Sequence, residues 1–390
     1  MKKKLIAVLL NLITMSCLAQ QIAQVNTVTL KSNYFDHDRT IFIYTPDLYQ
    51  EYTKNEYDVI YVFDAQDRSK FDLVHSLPYL FGNMDNEFMR NFIVVGICST
   101  YIKESDYSRN NDYLPSPLHQ HDGLFKGKYH GNSKELKLFI KNELMPYINK
   151  NYRTTGHSLG IGHSLSASFI LDAIITDELF DDYIAISANY CYDKERLAND
   201  FINYPFCKLS SPRFIFLSMA DETTSWTEDW GQAWKKIEHF VLDEKTSPKN
   251  VKLLIKTYPK FNHISTYLPS MQDALYQYMQ FLASNINYTS PSIYPIKIEL
   301  TGCSKEDEVY ITGNQAALGN WEPDKIKLKM INDSTKSINL KLHLPAHFKF
   351  TRGTWETEGY IKDAYPGYNL SITKPQSIQT YRIGQWADRQ

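Results

Sequence analysis

Hydrophobic positions fall into short continuous runs separated by helix-sized stretches over most of the chain, and into alternating positions near its end. Val28-Thr29-Leu30 and Thr40-Ile41-Phe42-Ile43-Tyr44, divided by a polar turn and closed by Pro46, predict an antiparallel hairpin. Val59-Ile60-Tyr61-Val62-Phe63 and Phe92-Ile93-Val94-Val95-Gly96-Ile97 are apolar throughout, the pattern of strands covered on both faces of a parallel sheet. Leu136, Phe139, Ile140 and Leu144 recur at helical spacing, and further apolar runs follow at 183–186, 214–217 and 251–255. Strand and helix alternate, so an α/β fold with a mostly parallel sheet is expected. At Asn287-Tyr288-Thr289-Ser290-Pro291-Ser292 the texture changes to period-two strands such as Ile296, Ile298, Leu300 and Ile338, Leu340, Leu342. This predicts an α/β domain over 20–286, a linker over 287–292 and an all-β sandwich over 293–390.

The first 19 residues stand apart. Lys2, Lys3 and Lys4 precede a mostly apolar stretch, and Cys17-Leu18-Ala19 puts small residues at −3 and −1, so a secretory signal cleaved before Gln20 is expected. The protein would then be secreted or periplasmic. The alternative is a lipoprotein acylated at Cys17, although Thr14 sits where an aliphatic residue is usual. No later segment reaches the roughly 20 apolar residues of a membrane helix. Hydrophobic residues at 43 % and charged residues at 22 %, with 16 Gly and 16 Pro, exclude collagen-like and disordered classes. A formal charge of −2, about three units more negative without the leader's lysines, argues against binding nucleic acid. Cys98, Cys191, Cys207 and Cys303 fit no zinc spacing and read as buried free thiols.

Two pentapeptides compete for a nucleophile elbow. Gly156-His157-Ser158-Leu159-Gly160 matches G-x-S-x-G fully, while Gly162-His163-Ser164-Leu165-Ser166 departs at its last position. The chemistry needs a strand ending at the serine and a helix starting after it. Ser158 follows the polar run 151–155 and is followed by Ile161-Gly162, so it fails. Ser164 follows a short strand-compatible segment, and Ala167, Phe169, Ile170, Ala173 and Ile174 recur after it at helical spacing. A serine needs a histidine base and an orienting carboxylate, in the chain order serine, acid, histidine. Asp221 and Glu222 follow the run 214–217, and His263 lies one strand and one loop later. Glu222 is favoured, with Asp221 kept beside it. Oxyanion donors would be the Leu165 amide and that of Ala65 or Gln66, just after a strand. His119, His121 and His130 lie in a polar aromatic stretch without ordered acidic company, so a lid or substrate-access loop is expected there, with no metal and no cofactor.

Over roughly residues 26–283 the chain resembles the putative esterases of the α/β-hydrolase superfamily, which include esterase D and enterochelin-type siderophore esterases. The resemblance rests on Tyr61-Val62-Phe63-Asp64-Ala65, on Val94-Val95-Gly96-Ile97 followed by Arg109, Asp112 and Pro115, and on Glu143-Leu144-Met145-Pro146-Tyr147-Ile148 with Tyr152. The elbow at Ser164, the strand Ile184-Ala185-Ile186-Ser187 and the Asn262-His263 turn complete it. It implies triad roles for Ser164 and His263, with the acid at Glu222 or Asp221. Ala65 and Ser166 stand where the family usually has glycine. In the tail, Val309-Tyr310-Ile311-Thr312-Gly313-Asn314, Leu318-Gly319-Asn320-Trp321, Phe348-Lys349-Phe350 and Trp355 resemble starch-binding carbohydrate modules, which implies a sugar site at Trp321, Lys349 and Trp355. The expectation is a secreted serine esterase acting on carbohydrate-linked acyl or siderophore-type esters through an acyl-enzyme, with a polysaccharide as a further partner. An acyltransferase, or an inactive binding protein that keeps the fold, are the alternatives.

Overall fold

The computed structural model describes residues 23–84, 90–119, 131–209, 213–222, 228–248, 251–284 and 290–389. The expected leader, with Cys17, and residues 287–289 of the expected linker lie outside them.

Eight strands form the first sheet: β1 (Gln24–Leu30), β2 (Arg39–Thr45), β3 (Tyr57–Phe63), β4 (Phe92–Ile97), β5 (Thr154–His163), β6 (Asp182–Ile186), β7 (Phe214–Ala220) and β8 (Lys252–Tyr258). Their order is β1-β2-β4-β3-β5-β6-β7-β8. The hairpin β1–β2 and the β2–β4 pair are antiparallel, and every pair from β4 to β8 is parallel. The helices are α1 (Arg68–Met84), α2 (Arg109–Tyr113), α3 (Ser133–Phe139), α4 (Met145–Asn151), α5 (Leu165–Asp177), α6 (Tyr192–Asn203), α7 (Glu228–Leu242) and α8 (Tyr267–Ser284); a π turn at Ile140–Leu144 joins α3 to α4.

The unbroken apolar runs have a simple cause. Val59, Tyr61 and Phe63 of β3 join the core on one face, with Phe139, Phe169 and Trp234. Ile60 and Val62 join the core on the other, with Phe71, Leu275 and Tyr278. Both faces are roofed by helices, so neither can be polar. This is the expected α/β-hydrolase architecture. One strand departs from expectation: β5 starts at Thr154, within the run judged too polar for a strand. Its pairing with β3 jumps from Tyr57↔Thr154 to Val59↔Ser158, a bulge in which Gly156 takes φ 92°. The polar side chains there are satisfied, Thr155 Oγ1 by Asp58 and Ser158 by Asp181. Of the four cysteines among the described residues, Cys98 and Cys303 are buried, Cys191 is half-buried and Cys207 exposed, and all four are free.

The second sheet takes β9 (Ile293–Thr301), β10 (Tyr310–Gly313), β11 (Ile326–Lys327), β12 (Lys329–Asn332), β13 (Thr335–His343), β14 (Ala346–Thr351), β15 (Gly359–Ile361), β16 (Leu370–Ile372) and β17 (Ile378–Trp386). It runs β11-β10-β14-β15-β17-β9-β13-β12, with β16 on β14. The inward positions Ile296, Ile298 and Leu300 meet Phe348, Phe350, Tyr381 and Trp386 in one core, giving a β-rich, nearly closed body. It is fastened to the α/β part by polar bonds: the Lys54 amide donates to Asp363 O (3.0 Å), the Tyr365 amide to Asn55 Oδ1 (2.8 Å) and Lys374 Nζ to Thr154 O (3.3 Å). The Tyr52 and Tyr365 rings meet edge to face at 5.1 Å.

Candidate active site

β5 carries the chain to His163, and at Ser164 the backbone turns with φ 63° and ψ −124° before α5 begins at Leu165. A non-glycine residue in such a conformation costs on the order of 1–3 kcal/mol and persists only where its surroundings hold it. Here the Ser164 amide donates to Ile186 O (2.9 Å) and its carbonyl accepts from the Ser168 amide (3.1 Å). Gly162 is obligatory, because a Cβ there would stand 2.3 Å from Ser166 O. Ser166, in the position where glycine was expected, is fully buried. Its hydroxyl accepts from the His163 amide (2.9 Å) and donates to Asp64 Oδ2 (2.8 Å), tying the elbow to the end of β3.

Asp64 itself has φ 59°. Arg109 grips it in a fork, Nε to Oδ1 at 2.6 Å and Nη2 to Oδ2 at 2.7 Å. Burial alone would raise the Asp64 carboxyl, but the Arg109 bonds and charge, the Lys70 charge and the Ser166 hydroxyl together hold it below its usual value.

Ser164, His263 and Glu222 are drawn into one hydrogen-bonded chain. His263 Nδ1–H donates to Glu222 Oε1 at 3.0 Å, and Ser164 Oγ–H donates to His263 Nε2 at 2.9 Å. The carboxylate at Nδ1 selects the tautomer that leaves Nε2 with a lone pair toward the serine. Glu222 and His263 are both buried. Trp230 stands edge-on to the His263 ring at 5.2 Å. His163, beside Ser164, donates from Nε2 to His263 O at 2.8 Å, so it holds the backbone of the histidine loop. Burial, reinforced by the Lys70 charge, pushes the His163 ring down to about 3 and keeps it neutral.

Two expectations are corrected. The Asp221 side chain is exposed and stays outside the chain of bonds; its backbone amide donates to Phe261 O (2.8 Å), clamping the two loops together. The Ala65 amide is spent on Ile97 O (3.2 Å), because the β3–β4 ladder runs one step past the Phe63↔Ile97 pair. Ala65 therefore has no free donor for an oxyanion, which leaves Gln66, the other position weighed. Its side chain is braced between Asp64 Oδ1 (3.2 Å) and the Ser99 amide (2.8 Å). The Leu165 amide opens α5, at the positive end of the helix dipole. Ser158, the rival serine, lies inside β5 with its hydroxyl donating to Asp181 Oδ2 at 3.0 Å.

Over Ser164 is an open cavity of about 520 Å³, lined by the apolar Trp230 and Ile264 and by the polar Lys70, Arg109 and Asn110. Sequence reasoning missed Lys70 and Trp230; the signal for Lys70 was its place just past the C-terminal end of a parallel strand, where ligands of such sheets sit. Among the described residues no group of His, Cys, Asp or Glu could hold a metal. His119 Nδ1–H donates to Asp193 Oδ1 (2.9 Å), and His121 and His130 lie outside the described residues. Burial would raise Asp193, but the Leu118 and His119 donors and the Arg196 charge bring it to about 2.

In the β-rich part, neither Trp321 nor Trp355 belongs to the core, whose tryptophan is Trp386. Trp355 is 42 % exposed and Trp321 half-buried. Their loops touch through Thr351 Oγ1 and Pro323 O. Lys349 Nζ is already engaged by Glu358 (2.9 Å) and Gly367 O (2.8 Å).

The profile of the putative esterase family matches residues 32–256, and that of the starch binding domain residues 294–379. Among solved structures, an IroE-like serine hydrolase from Shewanella oneidensis is 22 % identical with a TM-score of 0.55, the match covering 68 % of this chain and 83 % of that one. The BES protein from Bacillus cereus is 20 % identical with a TM-score of 0.52, covering 64 % and 93 %. The siderophore hydrolase EstA from Aspergillus nidulans is 18 % identical with a TM-score of 0.50, covering 68 % and 96 %. At these identities the likeness speaks for the fold. No curated protein matches the chain.

Proposed function

The chain belongs to the putative esterase family, whose membership supports an esterase function, and we propose that it is an exported serine esterase working through an acyl-enzyme at Ser164. The observation that carries this is the bond chain Glu222–His263–Ser164 under an open cavity. Ser164 Oγ attacks the ester carbonyl while His263 Nε2 takes its proton. Glu222 stabilises the imidazolium, and the proton then passes to the departing alkoxide. The Leu165 and Gln66 amides receive the negative charge of the tetrahedral intermediate. Water, deprotonated by the same histidine, releases the acid. Substrates on this reading are carbohydrate-linked acyl or siderophore-type esters, and the leader sends the protein to the secreted or periplasmic space.

The test compares two serines. Ser164→Ala should lower kcat on 4-nitrophenyl acetate by about 10⁴-fold or more and abolish labelling by a fluorophosphonate. Ser158→Ala should keep both and lose about 1 kcal/mol of stability through the Asp181 bond. The reverse pattern would overturn the assignment.

A further inference from the structure

Two cations face the cavity over Ser164, and they are not equivalent. Arg109 has spent Nε and Nη2 on Asp64, both of whose oxygens are further engaged by the Ser166 hydroxyl and the Gln66 amide. Arg109 and Asp64 thus form a forked ion pair, and the Asp64 carboxylate also feels the Lys70 charge without bonding to it. Lys70 has no carboxylate partner among the described residues; its ammonium rests over the Tyr267 ring at 5.5 Å. It is half-buried on the first turn of α1 and lines the same cavity as Ser164 and His263. Of the carboxylates that flank it in sequence, Asp67 is turned to the amide and hydroxyl of Ser69 (3.2 and 2.6 Å) and Asp72 pairs with Arg68 (2.8 Å). Glu222 is buried behind His263 and balances the imidazolium that forms in the reaction. The cavity is therefore lined by an ammonium that has no carboxylate bonded to it among the described residues, together with the apolar groups of Trp230 and Ile264.

A half-buried cation with no bonded carboxylate, in a cavity that also offers apolar surface, favours a ligand that is itself part apolar and part anionic. The geometry points to Lys70 as a specificity-determining residue: the natural ester bears a carboxylate or other negative group, on its acyl or its alcohol part, that pairs with Lys70 Nζ while its apolar portion lies against Trp230 and Ile264. The proposal rests on the esterase reading of Ser164. The aromatic ring under Lys70 holds the ammonium in place when no substrate is bound, which reduces the ordering cost of pairing.

The experiment uses a matched pair of substrates, mono(4-nitrophenyl) adipate and its methyl ester, with the full chain. In the wild type, kcat/KM for the charged ester should exceed that for the neutral one, and the ratio should shrink as salt is raised. Lys70→Gln should lower the ratio about three- to tenfold, the scale of a partly buried ion pair, and Lys70→Glu should lower it further. Neutral-ester turnover by each variant reports that it is folded. A charged-to-neutral ratio unchanged in Lys70→Gln and Lys70→Glu would overturn the role of Lys70 and leave the esterase standing. Loss of both substrates in the wild type, without fluorophosphonate labelling, would overturn the esterase reading and the charge selection with it.

Discussion

Glu222 and Asp221 are neighbours in the chain, yet only Glu222 reaches His263. Just past the end of β7 Asp221 is exposed and Glu222 buried, so which of two adjacent acids points inward depends on a one-residue phase. That phase is invisible in a list of residue types, as is the extra bond to Ile97 O that occupies the Ala65 amide and leaves Gln66. Ser164 and His263 were legible for the opposite reason: their positions are tied to a strand–turn–helix pattern and to a chain order that tolerates no one-residue alternative. Glu222→Gln keeps the shape and removes the charge that steadies the imidazolium. It should reduce kcat by about 10²- to 10⁴-fold, with the loss in kcat rather than KM. Asp221→Asn, which leaves the backbone bond to Phe261 intact, should stay within about twofold of wild type. Steady-state kinetics of the two variants decide the matter, and equal losses would reject Glu222 as the sole orienting acid.

At the scale of elements, β5 shows why a matching pentapeptide can mislead. Its first half holds Ser158 in the ladder and its end leads into the turn at Ser164, and the better letter match lies in the first half. The start of this strand was unreadable because its polar residues are satisfied by distant partners, Asp58, Asp181 and Asp182, which no local pattern reveals. His157 belongs to this cluster, with Nε2 2.7 Å from Asp182 Oδ2. Burial would lower its pKa, but the Asp182 bond and charge, with Asp58 and Asp181, raise it to about 9. A raised folded-state value means stability that is fully present below the unfolded value of about 6.5 and is lost as pH climbs through 9. Water reaches 35 % of the ring, so screening keeps the effect modest. Thermal unfolding of His157→Gln should therefore lie below wild type at pH 6 and approach it by pH 9.5. A gap that stays constant over this range would show that the ion pairs of His157 contribute nothing.

For the whole molecule, the two ends of the sheet have separate duties. Ser164, Asp64 and His263 follow the C-terminal ends of β5, β3 and β8, whereas the second domain is fastened at Lys54, Asn55 and Thr154, before or at the N-terminal ends of β3 and β5. Seven residues of β3 at about 3.3 Å each place roughly 20 Å of sheet between them. No residue of 290–389 lines the cavity over Ser164. The two-part division was legible from the switch of period near residue 290; the docking was not, since scattered hydrogen bonds and the Tyr52–Tyr365 ring contact leave no periodic pattern. A glycan held at Trp321 and Trp355 would therefore be a tether for the enzyme and no part of its substrate pocket. Replacing both tryptophans by alanine should abolish retention on an amylose column while kcat/KM for a small soluble ester stays within about twofold, because a remote site contributes nothing to transition-state binding. A fall in small-ester turnover that parallels the lost retention would mean that the second domain shapes the catalytic cavity after all.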